Sequence, residues 1–211
     1  SYEAGVKGSL LQGRFNYDFC AYYYDWYNYQ TSVFNATTSK FEYDDAGRAH
    51  SFGLEASISY SPCRYLNLFG NWSYIEGKFN EKDENGNAQL YAGNRFRLTP
   101  KNSFAFGFDL NVPAGEKASF YLRPTYSWKS KVFFEESNEP EFIQDAYGLL
   151  NFTAGYRFQP GKVYYEIGAF GKNVLDEKYI VDAGNSGRQI GFPTYIGGSR
   201  SVVGVMFKMG F

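Results

Sequence analysis

The chain has one histidine, two cysteines and seven prolines among its 211 residues. A single histidine rules out multi-histidine metal centres and the two-histidine carboxylate triad. Cys20 falls within an expected strand and Cys63 beside an expected turn. At such different heights their Cα atoms would not approach within about 7 Å, so two free thiols are expected. No run of about 18 apolar residues occurs, which excludes a membrane-spanning helix. Net charge is lacking too, since 21 basic residues face 22 acidic ones, and nothing calls for a nucleic-acid partner. Nothing resembles a secretion signal and Ser1 already opens a strand pattern, so a segment upstream is expected to have been removed or left out.

Aromatic rings, by contrast, are abundant. The 20 tyrosines and 21 phenylalanines sit in a chain whose mean hydropathy is −0.45 and of which 20% is charged. Large rings on a hydrophilic chain suit an outer-membrane β-barrel, where rings face lipid and polar residues line the lumen. An aromatic-rich β-sandwich or carbohydrate-binding module is the soluble alternative.

Alternation decides for strands. In Ser199 to Phe211, the residues Val203, Val205, Phe207, Met209 and Phe211 share one register, while Arg200, Gly204, Lys208 and Gly210 share the other. Alternate side chains of a strand lie on opposite faces, so one face is apolar and the other accepts charge. The same pattern recurs from Tyr2, Phe15, Ser51, Leu66, Ser103, Phe120, Leu150 and Val163, for about nine strands. The clearest sets Phe104, Phe106, Phe108, Leu110 and Val112 against Ser103, Ala105, Gly107, Asp109 and Asn111. Pro124 interrupts the sixth and predicts a bulge, because it cannot donate to a ladder.

Connection lengths alternate as well. Leu11 to Gly13, Ser61 to Arg64, Pro113 to Lys117 and Gln159 to Lys162 are short. Between them run Trp26 to Arg48, Glu76 to Arg97, Phe133 to Asp145 and Asn173 to Gly198. Short turns on one rim and long loops on the other are the asymmetry of a bacterial barrel, with the long loops outside the cell. Under that assignment the first and last strands both run inward, whereas bacterial single-chain barrels close with even strand counts. The fold expected is therefore all-β, an antiparallel transmembrane β-barrel that is incomplete, lacking an odd number of preceding strands. A small closed barrel with one more strand, within the hairpin-like stretch Ser32 to Tyr43, is the alternative.

The run Lys172-Asn173-Val174-Leu175-Asp176-Glu177-Lys178-Tyr179 resembles the N-[LVI]-[LF]-D-x-x-Y segment before the last extracellular loop of TonB-dependent outer-membrane receptors. Gly198-Ser199-Arg200-Ser201 and the strand to Phe211 resemble that family's final strand, with Val202 where its terminal signal carries a polar residue. Looser matches are Glu3-Ala4-Gly5-Val6-Lys7-Gly8, Ser51-Phe52-Gly53-Leu54-Glu55 and Leu98-Thr99-Pro100-Lys101-Asn102. The motif residues carried over are Asn173, Val174, Leu175, Asp176, Tyr179, Arg200 and Phe211. The resemblance implies that residues 1–211 are the C-terminal part, the last nine or so strands, of a barrel of about 22 strands. Its plug domain and N-terminal strands are absent from this sequence. It also implies a Gram-negative outer-membrane location, with lipid and lipopolysaccharide around the wall. Uptake of a scarce small-molecule chelate, such as an iron-siderophore complex, would be energised by the TonB complex through the missing N-terminal parts. Size fits that reading: nine strands would close to a diameter of roughly 18 Å, too narrow for a plug, and twenty-two to roughly 44 Å. The alternative function is a small closed passive barrel, whether porin, adhesin or anchor.

No enzyme, metal or cofactor is expected. His50 with Ser51 and Asp44 or Asp45 is an ordinary polar-loop composition, and Asp83, Asn85 and Asn87 imitate a calcium loop but lack its glycine and its bidentate acid. Candidate ligand-binding residues are Tyr22 and Tyr24 on the lumen register near the outer rim, and Tyr91, Arg95 and Arg97 at the close of the second long loop. Arg188 and Tyr195 in the last loop complete the set. Rings and guanidinium groups suit an anionic catecholate or carboxylate chelate. The same residue types also serve plug contacts, lipopolysaccharide phosphates and lumen ion pairs.

Overall fold

A computed structural model describes residues 1–35, 37–38, 40–184 and 192–211. Fifteen strands are present among them: β1 (Tyr2–Leu10), β2 (Phe15–Trp26), β3 (Gln30–Asn35), β4 (Lys40–Asp45), β5 (Ala49–Cys63), β6 (Leu66–Phe79), β7 (Asn102–Pro113), β8 (Ala118–Lys129), β9 (Val132–Phe133), β10 (Ile143–Gln144), β11 (Tyr147–Phe158), β12 (Tyr164–Lys172), β13 (Ile180–Gly184), β14 (Thr194–Gly197) and β15 (Val202–Gly210). Nine of them pair in the order β1-β2-β5-β6-β7-β8-β11-β12-β15, every neighbour antiparallel. This is the all-β antiparallel sheet of a partial barrel, with β1 and β15 as its two edges. An odd number of antiparallel strands makes those edges run the same way, as the loop lengths required.

One face of the sheet carries the apolar registers. On its inner strands Phe106 is 53% exposed, Phe120 57% and Ile167 54%. So many large side chains open on one surface mark an interaction with lipid or protein. Cross-strand aromatic pairs run along this face, among them Phe106 with Tyr126 at 5.5 Å and Phe120 with Tyr156 at 4.7 Å between ring centroids. Such pairs, within the 4.5–7 Å contact range, add to sheet stability. The opposite, concave face carries Asp18, Glu55, Asn71, Ser103 and Lys129 around a hollow of about 770 Å³.

Pro124 behaves differently from expectation. The β7–β8 register is the same on both sides of it, from Gly107 opposite Thr125 to Leu110 opposite Leu122, with the pairs between left unmade. The ladder to β11 continues through Phe152 opposite Pro124. The missing N–H therefore points at β7 and opens a gap in the ladder, without adding the extra residue that defines a bulge. Asp109 and Arg123 bridge the gap with an ion pair of 3.0 Å. A register shift does occur elsewhere, between Tyr60 and Cys63, where β5 runs on into the expected turn. Cys20 and Cys63 are both free thiols.

The hairpin-like stretch in the first long loop does form a hairpin, β3 with β4, but as a separate two-stranded sheet and not as a barrel strand. The third and fourth long loops likewise hold small sheets, β9 with β10 and β13 with β14. Only one short 3₁₀ turn, Pro140–Phe142, interrupts the all-β character of the described residues.

Candidate functional site: the concave wall and its loop canopy

Strand alternation puts Tyr22, Tyr24 and Trp26 of β2 on the concave face, one above another toward the long-loop rim. Their rings form a ladder, with centroids 5.3 Å apart at each step. Trp26 then meets Phe96 at 5.5 Å and Tyr29 at 6.2 Å, and Tyr29, Phe79 and Tyr91 continue the contact into the loops. Phe79 is 1% exposed at the centre of this cluster, beside Ala46 and Ala49. The first two long loops thus share a small core of their own, fed by the concave wall. Burial raises the Tyr29 phenol above its ordinary pKa, with a further push from the Glu136 carboxylate.

The third loop is tied to the other two by polar contacts. Asn138 accepts from the Arg95 backbone N–H at 2.8 Å and returns a bond to the Arg95 carbonyl at 2.9 Å. Asn94 donates to the Glu136 carbonyl, Thr31 to the Glu136 carboxylate at 3.0 Å, and Leu98 N–H to the Phe133 carbonyl. Val132, Phe134, Phe142 and Ala183 make a second core between the third and fourth loops. The loops therefore form a packed canopy over one end of the sheet. Asp83 belongs to this canopy as a turn former. Its carboxylate accepts from the backbone N–H groups of Asn85 and Asn87, each at 2.8 Å, and those bonds hold its pKa below the usual range.

The expected ligand residues do not converge on one point. Tyr22 and Tyr24 line the wall, while Tyr91 packs into the loop core against Phe79. Arg97 faces the buried Glu136 carboxylate at 3.8 Å, and the Arg95 guanidinium lies 5.8 Å above the Phe133 ring. Tyr195 donates to the Glu141 carbonyl at 3.3 Å, on the far loop pair. Arg188 lies outside the described residues. A group that sequence reading left out stands across the hollow: Tyr147 and Tyr179 stack at 4.5 Å, and Lys129 Nζ sits 5.4 Å over the Tyr147 ring. Tyr179 was already a motif residue, but only the fold stacks Tyr147 on it and brings Lys129 over the Tyr147 ring. Together these offer rings and a cation at the wall, with Asp18 and Glu55 opposite.

The motif before the last loop proves to be a latch. Asn173 is 3% exposed and holds both ends of the loop, its amide donating to the Glu177 and Ser199 carbonyls at 2.9 Å each while its oxygen accepts from Glu177 N–H. Asp176 accepts from Arg200 Nε on one carboxylate oxygen and from Nη2 on the other, and accepts from Ser201 N–H at 3.0 Å. The two-pronged geometry is the specific form of an arginine–carboxylate pair. Val174 N–H donates to the Leu150 carbonyl, Leu175 points outward, and Phe211 follows β15 fully exposed. Arg200 holds the Asp176 carboxyl well below the ordinary carboxylate range. A depressed folded-state pKa means the latch contributes at all pH above the unfolded value and weakens only as pH falls through the folded one. Hydrogen exchange at the Ser201 amide, corrected for intrinsic rate, is therefore expected to stay protected from pH 7 to 4. In Asp176→Asn it should accelerate severalfold at every pH.

Comparison with known proteins agrees with this architecture. The family described as TonB dependent receptor-like, beta-barrel, matches residues 1–174. The ferric yersiniabactin uptake receptor FyuA from Yersinia pestis superposes with a TM-score of 0.80 at 16% identity, over 100% of this chain and 29% of that one. The ferric preacinetobactin receptor BauA from Acinetobacter baumannii gives 0.69 at 18% identity, over 98% and 28%. The ferric citrate transporter FecA in its unliganded form gives 0.70 at 17% identity, over 98% and 30%. This chain thus spans under a third of the length of each of these proteins. With most of its residues under the family match, a meander of nine lipid-patterned strands and long loops at one rim, the chain belongs to the TonB-dependent receptor β-barrels.

Proposed function

We propose that this chain is the C-terminal part of the barrel of an outer-membrane receptor that takes up a scarce iron chelate of the siderophore class. The single observation that carries the reading is the concave wall. Rings of Tyr22 and Tyr24 on one side and the Tyr147–Tyr179 stack on the other suit an aromatic chelate by stacking, with Lys129 the cation on a wall that also carries Asp18 and Glu55. In this reading β1 and β15 are joined by an odd number of further strands that, with a plug and the parts that engage TonB, belong to the longer polypeptide. The matched receptors, each more than three times this length, support that arrangement.

The test uses the full-length receptor. Tyr22→Ala with Tyr24→Ala is expected to lower binding of a ferric catecholate probe at least tenfold, measured by tryptophan quenching, while the folded barrel is still recovered from the membrane. Unchanged binding by the variant would remove this wall from the ligand path. A full-length protein that conducts ions freely in planar bilayers and binds no chelate would instead be a passive barrel.

A further inference from the structure

The apolar face has one charged region. Along the exterior registers of all nine barrel strands, the charged side chains are Asp25 of β2 and Glu76 and Lys78 of β6, all at the long-loop ends of the two staves that flank β5. Arg48, just before β5, and Lys101, just before β7, flank them. Lys78 Nζ lies 2.9 Å from Glu76 Oε1, and Lys101 Nζ lies 3.5 Å from Glu76 Oε2. Tyr74 donates to that same Oε2 at 2.7 Å, with Lys101 5.3 Å over its ring. Arg48 pairs with Asp25 at 3.1 Å and stacks over Tyr27 at 4.3 Å. Directly below, on the same face, come Tyr23, Phe52 and Trp72, each at least 40% exposed.

Two features make this more than a solvated rim. First, Lys78 and Lys101 share one carboxylate, so the five groups carry three cations against two anions and leave a positive surplus. Second, the cluster stands immediately above an aromatic girdle, the level at which lipid headgroups meet the wall. The remaining staves, β7 to β15, carry no exterior charge within their strands. Cationic side chains at headgroup level attract anionic lipid, and lysine ammonium groups take phosphate as point charges.

We propose that Lys78 and Lys101, held one at each oxygen of the Glu76 carboxylate, form a site for a phosphate group of an outer-leaflet lipid lying against the β5–β6 wall. The phosphate bridges the two ammonium groups and the acyl chains lie down the Tyr23, Phe52 and Trp72 surface. The proposal rests on the outer-membrane placement above. A chain that never assembles gives no heat-modifiable folded band on a gel, so that failure is read separately.

Full-length receptor, purified and exchanged into detergent, is incubated with equal amounts of diphosphorylated lipid A and its dephosphorylated form, and retained lipid is counted by native mass spectrometry. The wild type is expected to retain the phosphorylated form at least tenfold over the other. Lys78→Gln with Lys101→Gln should reduce that preference at least fivefold with folded yield intact. Glu76→Gln, which frees both lysines, should increase retention, and it keeps the test open if the double variant does not fold. Equal retention of the two lipids, an unaffected double variant or a fall in Glu76→Gln would overturn the site. So would displacement of the lipid by millimolar inorganic phosphate, which would mark a free-anion site.

Discussion

Phe106→Lys combined with Phe108→Lys is expected to reduce folded barrel in the outer membrane at least tenfold. Both residues lie near the middle of β7, on the face where the neighbouring β6 and β8 present Leu68 and Tyr126. A lysine facing hydrocarbon at mid-depth costs about 2–4 kcal/mol, against roughly zero near the interfaces. Two on one strand cannot be relieved by reaching for the headgroups, since they lie midway between the rims. The matched control is Ser103→Lys with Ala105→Lys on the same strand. Those positions face the concave hollow beside Asp18, Glu55 and Asn71, and the control should assemble at near wild-type yield. Heat-modifiable mobility in purified outer membranes measures both. Equal yields for the two pairs would mean that the faces are assigned the wrong way round.

The facing of β7 was legible because strand periodicity is local: every second residue reports the same environment, and five in a row agree. The rim asymmetry was legible for a similar reason, since turn lengths are written directly along the chain. The latch residues could be recognised as a motif, although their work could not. That Asn173 reaches Ser199 and Asp176 reaches Arg200 depends on where β12 and β15 end, and the strand pattern sets those ends only approximately. The canopy was opaque altogether. Asn138 and Arg95, or Thr31 and Glu136, are ordinary loop residues far apart in sequence, and nothing periodic relates them. The same limit explains the arginines. A guanidinium in a polar loop looks available until the structure supplies the Glu136 carboxylate facing Arg97. At Pro124 the sequence specified the lost donor but not which neighbour would miss it.

Glu166 is the second place where a single change should matter most. Its side chain is 5% exposed on the concave face, where Arg157 Nε approaches Oε2 at 3.1 Å and Lys208 Nζ approaches Oε1 at 3.6 Å. Tyr121 donates to Oε1 at 2.7 Å, and Tyr164 donates to Oε2. Tyr121 reaches it by lying across Gly155 and Gly168, where any Cβ would collide with the phenol oxygen at under 3 Å. One carboxylate therefore joins four staves, β8, β11, β12 and β15. Glu166→Ala leaves Arg157 beside Tyr121 without its anion and two phenols without their acceptor. Removing one member of a buried charge pair costs about 3–5 kcal/mol, and the wetter lumen places this site at the lower end, about 3 kcal/mol. Urea unfolding of the full-length barrel, followed by intrinsic fluorescence, should show a lower midpoint with unchanged slope. Glu166→Gln, which keeps an acceptor for the phenols, should lose less than half as much. If alanine and glutamine destabilise equally, the anion carries the whole effect and the tyrosine bonds contribute nothing. If neither destabilises, the four-strand hub is only a consequence of the register that β12 already shares with β11 and β15.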